Sequence, residues 1–367
     1  MRLVIIKPRC EEEKGALRLN KILQKSLDTA MPDEGGSRPE TEQISTAEEL
    51  KHRLGAPGQL RGRRILFAVS LGEWGMNLEM YAMIRCIRKN PRCMEHSIAG
   101  ILTDGGCELY TKSAAAELVF AANLSGCLFI GQPLVEGTKS LQNFQVRATN
   151  LCLDLPAAYQ ESAKQLVRRL LEFRLPETGE LRVLCLHASN YETSNTLSLW
   201  RLARNRLEGT CRIREIALGN GKVYDCQGCP YQTCLHYGQR SECFYGGAIV
   251  EEVYPAVEQC DVLLMLCPNY NDALGANLTA FINRLTALFR KRQFYDKYLF
   301  SIIVSGYSGG DILARQLISS LNMNKTFILP GNFAWIETAN APGSALELEG
   351  IEERAAEFAE RILQRQG

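Results

Sequence analysis

Four of the chain's fourteen cysteines, Cys226, Cys229, Cys234 and Cys243, stand within eighteen residues in "DCQGCPYQTCLHYGQRSEC" (225–243). His236, one of four histidines, lies among them. Four thiolates can hold an iron–sulfur cluster. Four thiolates, or three with His236, also meet the tetrahedral demand of a structural zinc ion. The C-x2-C pair Cys226/Cys229 can instead work as a redox-active dithiol. The plainest reading is a loop of unligated thiols. The spacing C-x2-C-x4-C-x8-C leaves these alternatives open, since only one short pair is present.

Three further stretches carry groups suited to holding a ligand. "ASNYETSNT" (188–196) offers Ser189, Asn190, Thr193, Ser194, Asn195 and Thr196 ahead of a helical pattern. A helix start, with free N–H groups and the positive end of its dipole, attracts anions. No Lys or Arg accompanies these residues, and neither the phosphate-loop lysine motif nor G-x-G-x-x-G is present here. Neutral donors for a phosphate monoester remain, or else a plain capped turn. "CPNYNDALGAN" (267–277) places Tyr270 in a Pro268–Asn269 turn with amides beside it, which suits a planar ring with polar edges. The alternative is a turn whose tyrosine covers the strand end. "SGYSGGD" (305–311) has three glycines and two serines before a helix, which permits close backbone approach. One site shared among three loops is the simplest account.

The elements that must position these loops follow from hydrophobic periodicity. In the second half, strands are expected at 182–188, 211–218, 262–267, 299–305 and 326–330, with helices at about 195–207, 247–259, 275–291, 309–321 and 351–365. Strand and helix alternate, as in a doubly wound α/β domain. There, ligands sit beyond the carboxyl ends of the strands. All three loops, and the cysteine segment, lie at such ends.

The first half reads as strand 2–6, helix 11–28, an exposed polar loop 31–43, a short helix after Ser45 or Thr46, strand 64–70, a helix over "MNLEMYAMIRCIRK", strand 97–103 and a helix over "ELYTKSAAAELVFAANL". "TDGGCELYTKS" (103–113) could hold an anion, and "GQPLVEGTKSLQNF" (131–144) reads as a polar loop; plain turns are the simpler reading of both. The expected organisation is a smaller α/β domain of unknown role (1–150), a connecting helix and linker (151–180) with Pro156 in its first turn, and a ligand-binding α/β domain (181–367).

Composition sets the frame. Hydrophobic residues make up 46% and charged residues 23%, the profile of an ordinary soluble globular protein. The net charge is +1, and spread-out Lys and Arg leave no footprint for nucleic acid. No apolar run reaches the roughly 18 residues of a membrane span. "MRLVIIKPRCEEEK" reads as a strand, not a signal peptide. A cytoplasmic, reducing location is expected, without a disulfide framework. Scattered cysteines such as Cys86, Cys185, Cys211 and Cys260 read as small core residues.

Taken together, the three loops resemble those of the NAD(P)H-dependent FMN reductase and iron–sulfur flavoprotein family, over residues of about 181–335. "ASNYETSNT" is similar to the family's phosphate loop at Ser189, Asn195 and Thr196, and departs from it at Ala188, Asn190 and Tyr191. "CPNYND" with "LTAFINRL" looks like its Pro-x-Tyr segment and following helix, here ending in Asn283 and Arg284. "SGYSGG" is similar to its Gly-rich loop.

The resemblance implies a flavodoxin-like five-stranded parallel sheet and FMN. Ser189, Ser194, Asn195 and Thr196 would hold the phosphate. Pro268, Asn269, Tyr270 and Asn271 would flank the flavin ring, with Ser305, Gly306, Gly309 and Gly310 closing its other side. No side-chain nucleophile is implied, since the flavin carries the electrons. Cys226, Cys229, Cys234 and Cys243 would carry a [4Fe–4S] cluster, with zinc as the alternative; the family's own spacing is tighter. The implied activity moves electrons between NAD(P)H or a protein donor and a small-molecule or protein acceptor, in a homo-oligomer. The alternative is a flavodoxin-like carrier or binding module with no small-molecule substrate of its own.

Overall fold

The computed structural model describes residues 2–29, 39–55, 60–177, 179–219 and 223–365. The chain divides into two compact units, Met1–Leu175 and Pro176–Gln366.

In the first unit, β1 (Arg2–Ile6), β2 (Glu40–Ile44), β3 (Arg64–Ser70), β4 (Ile98–Asp104) and β5 (Leu128–Gly137) form one parallel sheet in the order β2-β1-β3-β4-β5. In the second, β6 (Leu181–His187), β7 (Cys211–Ala217), β8 (Val262–Asn269), β9 (Tyr298–Ser305) and β10 (Ala334–Thr338) form another, in the order β10-β9-β8-β6-β7. Counted from its own first strand, each sheet has the flavodoxin-like order 2-1-3-4-5. The apolar runs "ILFAV" and "VLLMLC" are buried along their length, as strands covered on both faces must be.

Several expectations differ from the structure. Residues 31–38 of the expected polar loop lie outside the described residues, but Glu40–Ile44 is a strand. Its sequence "ETEQI" is mostly exposed and lacks an apolar period, yet it pairs with β1 from Arg2↔Glu40 to Ile6↔Ile44. An edge strand needs only its backbone partner.

The polar loop read at 131–144 begins inside β5. Pro133 is tolerated because β5 is an edge strand. Its register on β4 jumps from Ala99↔Phe129 to Ile101↔Leu134, so the intervening residues bulge out of the ladder.

The fifth strand of the second unit is Ala334–Thr338, not 326–330. The earlier stretch makes only bridge-type pairing at Ile328 and Leu329, with Ile328 opposite Tyr298. Thr326 sits at φ +65°, which breaks the extended run, while Phe327, Ile328 and Leu329 are buried.

The helix Leu155–Glu172, read from sequence as part of a connector, packs into the first unit. Tyr159, Ala163, Leu166 and Leu170 join one buried cluster with Leu3, Leu66 and Leu102 of the sheet and Leu19 and Leu23 of the helix Glu13–Thr29. Asp154 caps this helix at Ala157 N–H, with proline in the first turn. All fourteen cysteines are free, with Cys86, Cys185 and Cys260 buried and Cys211 half-buried. Among the described residues no helix is long and apolar enough to cross a membrane.

At the carboxyl end of β4, Asp104 is 3% exposed. Arg18 grips its carboxylate at 2.9 and 3.0 Å. The same guanidinium donates to the carbonyls of Gly105, Gly137, Thr138 and Lys139 at 2.9–3.2 Å. Tyr159 Oη donates to the carboxylate at 3.0 Å. Burial pushes the Asp104 carboxyl above its ordinary range, against the pull of Arg18 and Tyr159. Replacing Arg18 by Met leaves this carboxylate buried without its cation. The expected loss is about 3 kcal/mol of unfolding free energy, at the low end for a buried pair because Arg18 is partly exposed. Urea unfolding of the variant measures it.

Candidate functional site

The carboxyl ends of β6, β8, β9 and β10 each carry polar residues. After β6, the helix Asn195–Leu207 is capped by Ser194, whose Oγ accepts from Leu197 N–H at 3.3 Å. Thr196 Oγ1 lies 2.8 Å from Ser194 Oγ and 3.4 Å from Ser189 Oγ. Three of the four residues expected at a phosphate therefore gather their hydroxyls at a helix start.

Asn195 is engaged differently. Its Nδ2 donates to Ala339 O and Ala341 O at 3.3 and 2.9 Å, and its Oδ1 accepts from Ala345 N–H at 3.4 Å. The amide ties the helix start to the segment after β10. Nothing local in the sequence signals this, because the partners lie far along the chain.

His187, which the sequence reading passed over, is fully buried at the end of β6. Its Nδ1 accepts from Ser189 N–H at 3.3 Å, which assigns the ring proton to Nε2. Nε2 faces Glu215 Oε1 at 3.5 Å without a hydrogen bond. Glu215 Oε2 accepts from Trp200 Nε1 at 2.8 Å. Burial pushes the imidazole pKa down, and Glu215 only partly offsets it. A neutral His187 thus braces the turn that positions Ser189.

The loops after β8 and β9 are joined by Asn269. Its Nδ2 donates to Asp272 Oδ1 (3.1 Å), Ser305 Oγ (3.1 Å) and Ser308 O (3.0 Å), and its Oδ1 accepts from Asp272 N–H at 2.8 Å. Pro268 and Asn269 still belong to the ladder, opposite Val304 and Ser305. Beyond them Tyr270 and Asn271 are exposed. Tyr307 is 82% exposed, and its Oη accepts from Asn340 Nδ2 at 2.9 Å.

The glycines of this loop answer to their neighbours. Gly309 has φ +86°, and a Cβ there would stand 2.1 Å from Asp272 Oδ1; at Gly310 a Cβ would stand 2.5 Å from Ile336 Cγ2. Gly306 approaches Asn340 less closely. The two-glycine turn at 105–106 behaves likewise: Gly106 donates to Gly72 O at 2.8 Å, so this turn packs against the loop after β3, in keeping with the plain turn that was the simpler reading of it.

The four cysteines of the 225–243 segment all line one cavity of about 260 Å³. The segment is not wholly a loop, since Tyr231–Gly238 is a helix. The opposite wall comes from the helix Ala276–Lys291, through Asn283, Arg284, Ala287 and Arg290. Arg284 is 2% exposed. It donates to Tyr224 O at 3.4 Å and Gly246 O at 2.7 Å, gripping the chain on either side of the cysteines. Its own carbonyl accepts from Tyr254 Oη at 2.5 Å. Arg284 Nε, buried, has no partner among the described residues.

Asn283 Nδ2 donates to Asp225 Oδ1 at 3.0 Å. His236 does not line the cavity; its Nε2 lies 3.2 Å from an Arg240 nitrogen. The zinc alternative with His236 as fourth ligand is not the arrangement seen. Among the described residues no three or more His, Cys, Asp or Glu side chains stand so as to hold one metal ion. The four thiols surround a space instead of converging on a point.

Two outcomes test this geometry. Gly309→Ala combines a left-handed φ with a collision and is expected to cost about 1–3 kcal/mol in urea unfolding. For His187, the unfolded state takes up its proton near pH 6.5, by the ordinary histidine value, and the folded state only lower. The unfolded state therefore binds more protons in between, so stability is level above about pH 6.5 and falls as pH drops below it. In His187→Gln this component of the melting-temperature profile between pH 5 and 8 is expected to vanish.

Residues 181–341 match the family model of NADPH-dependent FMN reductase. No curated protein matches the chain significantly. Similar solved structures include NAD(P)H:quinone oxidoreductase from Methanothermobacter marburgensis, at 14% identity over 50% of this chain and 98% of that one, TM-score 0.39. RosB with a bound 8-demethyl-8-formylriboflavin-5'-phosphate intermediate is similar at 14% identity over 50% and 81%, TM-score 0.38. Rubredoxin oxygen:oxidoreductase from Desulfovibrio gigas is similar at 12% identity over 70% and 48%, TM-score 0.34. The stretch 181–341 is thus of the FMN-reductase type, on a flavodoxin-like sheet.

Proposed function

We propose that this chain, with an FMN-reductase-type unit at residues 181–341, is an FMN-dependent oxidoreductase. It passes electrons between NAD(P)H or a protein donor and an acceptor, with a [4Fe–4S] cluster on the cysteine segment. The observation that carries the cluster is the cavity lined by the four cysteines and by Arg284, whose buried Nε has no partner among the described residues. A single zinc ion bound at about 2.3 Å by four thiolates would need sulfurs roughly 3.8 Å apart. A cluster spreads its four thiolates over four irons, so they ring a larger space. The guanidinium of Arg284, with Arg290 on the same wall, places positive charge beside what would be a polyanion.

When bound, FMN would supply two-electron exchange with a nicotinamide and one-electron exchange with the cluster. The chain's own residues bind and orient. Ser189, Ser194 and Thr196, with the first N–H groups of the helix Asn195–Leu207, would receive the phosphate. Asn195 holds the helix start in place, and His187 holds Ser189. Pro268 to Asn271 and Ser305 to Gly310 would flank the ring, their separation kept by Asn269. The helix Ala276–Lys291 begins just after the first of these loops and reaches the cysteine cavity at Asn283. That is about 10 Å along its axis, at 1.5 Å per residue.

Protein purified without oxygen is expected to be brown and to carry about four irons per chain. Zinc without iron would sink the cluster. Cys226→Ser or Cys243→Ser should lose the iron and keep the FMN. Thr196→Ala is expected to weaken FMN binding about tenfold or more, the cost of one hydrogen bond to a charged group, measured by flavin fluorescence titration. Turnover of NADH or NADPH with a quinone or dye acceptor distinguishes the enzyme from a carrier. No oxidation of either nicotinamide, together with fast reduction by a ferredoxin, would favour the carrier.

A further inference from the structure

The first unit has its own crevice at the point where its strand order reverses, between β1 and β3, the place where sheets of this kind take ligands. A cavity of about 370 Å³ opens there, lined from the ends of β1, β2 and β3 and from the helix Glu13–Thr29. That volume suits a small molecule. No aromatic side chain lines it, so it offers no platform for a flavin ring.

Its charge is unbalanced. Lys7 and Arg9 both line it. Lys7 Nζ has a neutral partner, Asn20 Oδ1, at 2.7 Å. The Arg9 guanidinium has no hydrogen-bond or ion-pair partner among the described residues. The one carboxylate among the described lining residues, Glu49, turns to the backbone: its Oε2 accepts from Ser45 N–H at 2.6 Å and Thr46 N–H at 3.3 Å. At the end of β3, Ser70 also lines the cavity. It is 3% exposed, and its Oγ has no partner. Leaving a buried hydroxyl unpaired destabilises the fold, and a ligand oxygen would offset that. Burial also pushes the Lys7 ammonium pKa down, a cost that a neighbouring anion offsets.

The walls are fixed in advance. Asn77, 4% exposed, donates through Nδ2 to Ser70 O at 2.8 Å and Arg9 O at 3.2 Å, joining the loops on the two sides of the crevice. Arg9 N–H also donates to Ser45 O at 3.0 Å.

We infer that the first unit binds a small oxyanion-bearing molecule in this cavity, with Lys7 and Arg9 supplying the charge and Ser70 an unpaired hydroxyl at its wall. The head group is a phosphate or a carboxylate, both of which present oxygens to these donors. The site stands apart from the FMN loops in sequence and does not depend on the reading of the second unit.

The test is calorimetric titration of the full chain, saturated with FMN, against inorganic phosphate and against malonate at constant ionic strength in chloride. Saturable binding of at least one anion is expected, and the tighter of the two identifies the head group. Arg9→Ala, at an exposed side chain, should weaken binding at least tenfold. Ser70→Ala should weaken it several-fold while leaving the melting temperature of the anion-free protein unchanged or higher, because an orphaned hydroxyl has been removed. Both substitutions lie in the first unit, so such losses cannot come from the 188–196 loop. Absence of saturable binding by both anions, or wild-type affinity in Arg9→Ala and Ser70→Ala, would overturn the inference.

Discussion

The central strands of each parallel sheet are buried on both faces, which leaves little room for polar side chains along them, and this constraint organises both halves of the molecule. Every connection must cross over a face and return, so the unpaired backbone groups and the chemistry collect at the strand ends. There, loops from strands distant in sequence must be held at fixed separations without a ladder between them. Side-chain amides perform this task repeatedly. Asn77 joins the loops after β1 and β3. Asn269 joins those after β8 and β9. Asn195 joins the start of its helix to the segment after β10. One amide both donates and accepts, so a single residue can satisfy several backbone groups that would otherwise be buried unpaired.

The same pattern recasts the ligand-facing residues. Of the residues that resemblance placed around a flavin, Ser189, Ser194 and Thr196 present hydroxyls at a helix start. Asn195 and Asn269 are structural pins whose positions set where those donors stand. Gly309 and Gly310 are glycines because another chain segment occupies the space of a side chain. The frame of these loops is fixed by hydrogen bonds, while the rings of Tyr270 and Tyr307 stand exposed at their rim.

Much of the fold was legible in the sequence because its signals are local. Near-continuous apolar runs marked β3, β4, β6, β8 and β9, and helical spacing marked the helices that follow. The loops "ASNYETSNT", "CPNYND" and "SGYSGG" fell at the strand ends expected of them. What escaped notice was set by non-local partners. "ETEQI" is a strand because β1 lies beside it. β5 accommodates Pro133 because its register slips on β4, and "TFILP" yields the edge to "AWIET" after a break at Thr326. His187 looked like an ordinary strand residue; its bond to Ser189 and its burial appear only in three dimensions. Arg284 was visible as the last residue of a resemblance, but its grip on Tyr224 and Gly246 was not.

That grip bears on how the cysteine segment behaves when empty. Closing a flexible loop costs entropy that rises with the logarithm of its length. By anchoring the chain on both flanks of the four thiols, Arg284 imposes that closure as part of folding. The thiols are confined to one neighbourhood before anything binds them. Anything that binds there has side chains to order but does not have to gather the chain.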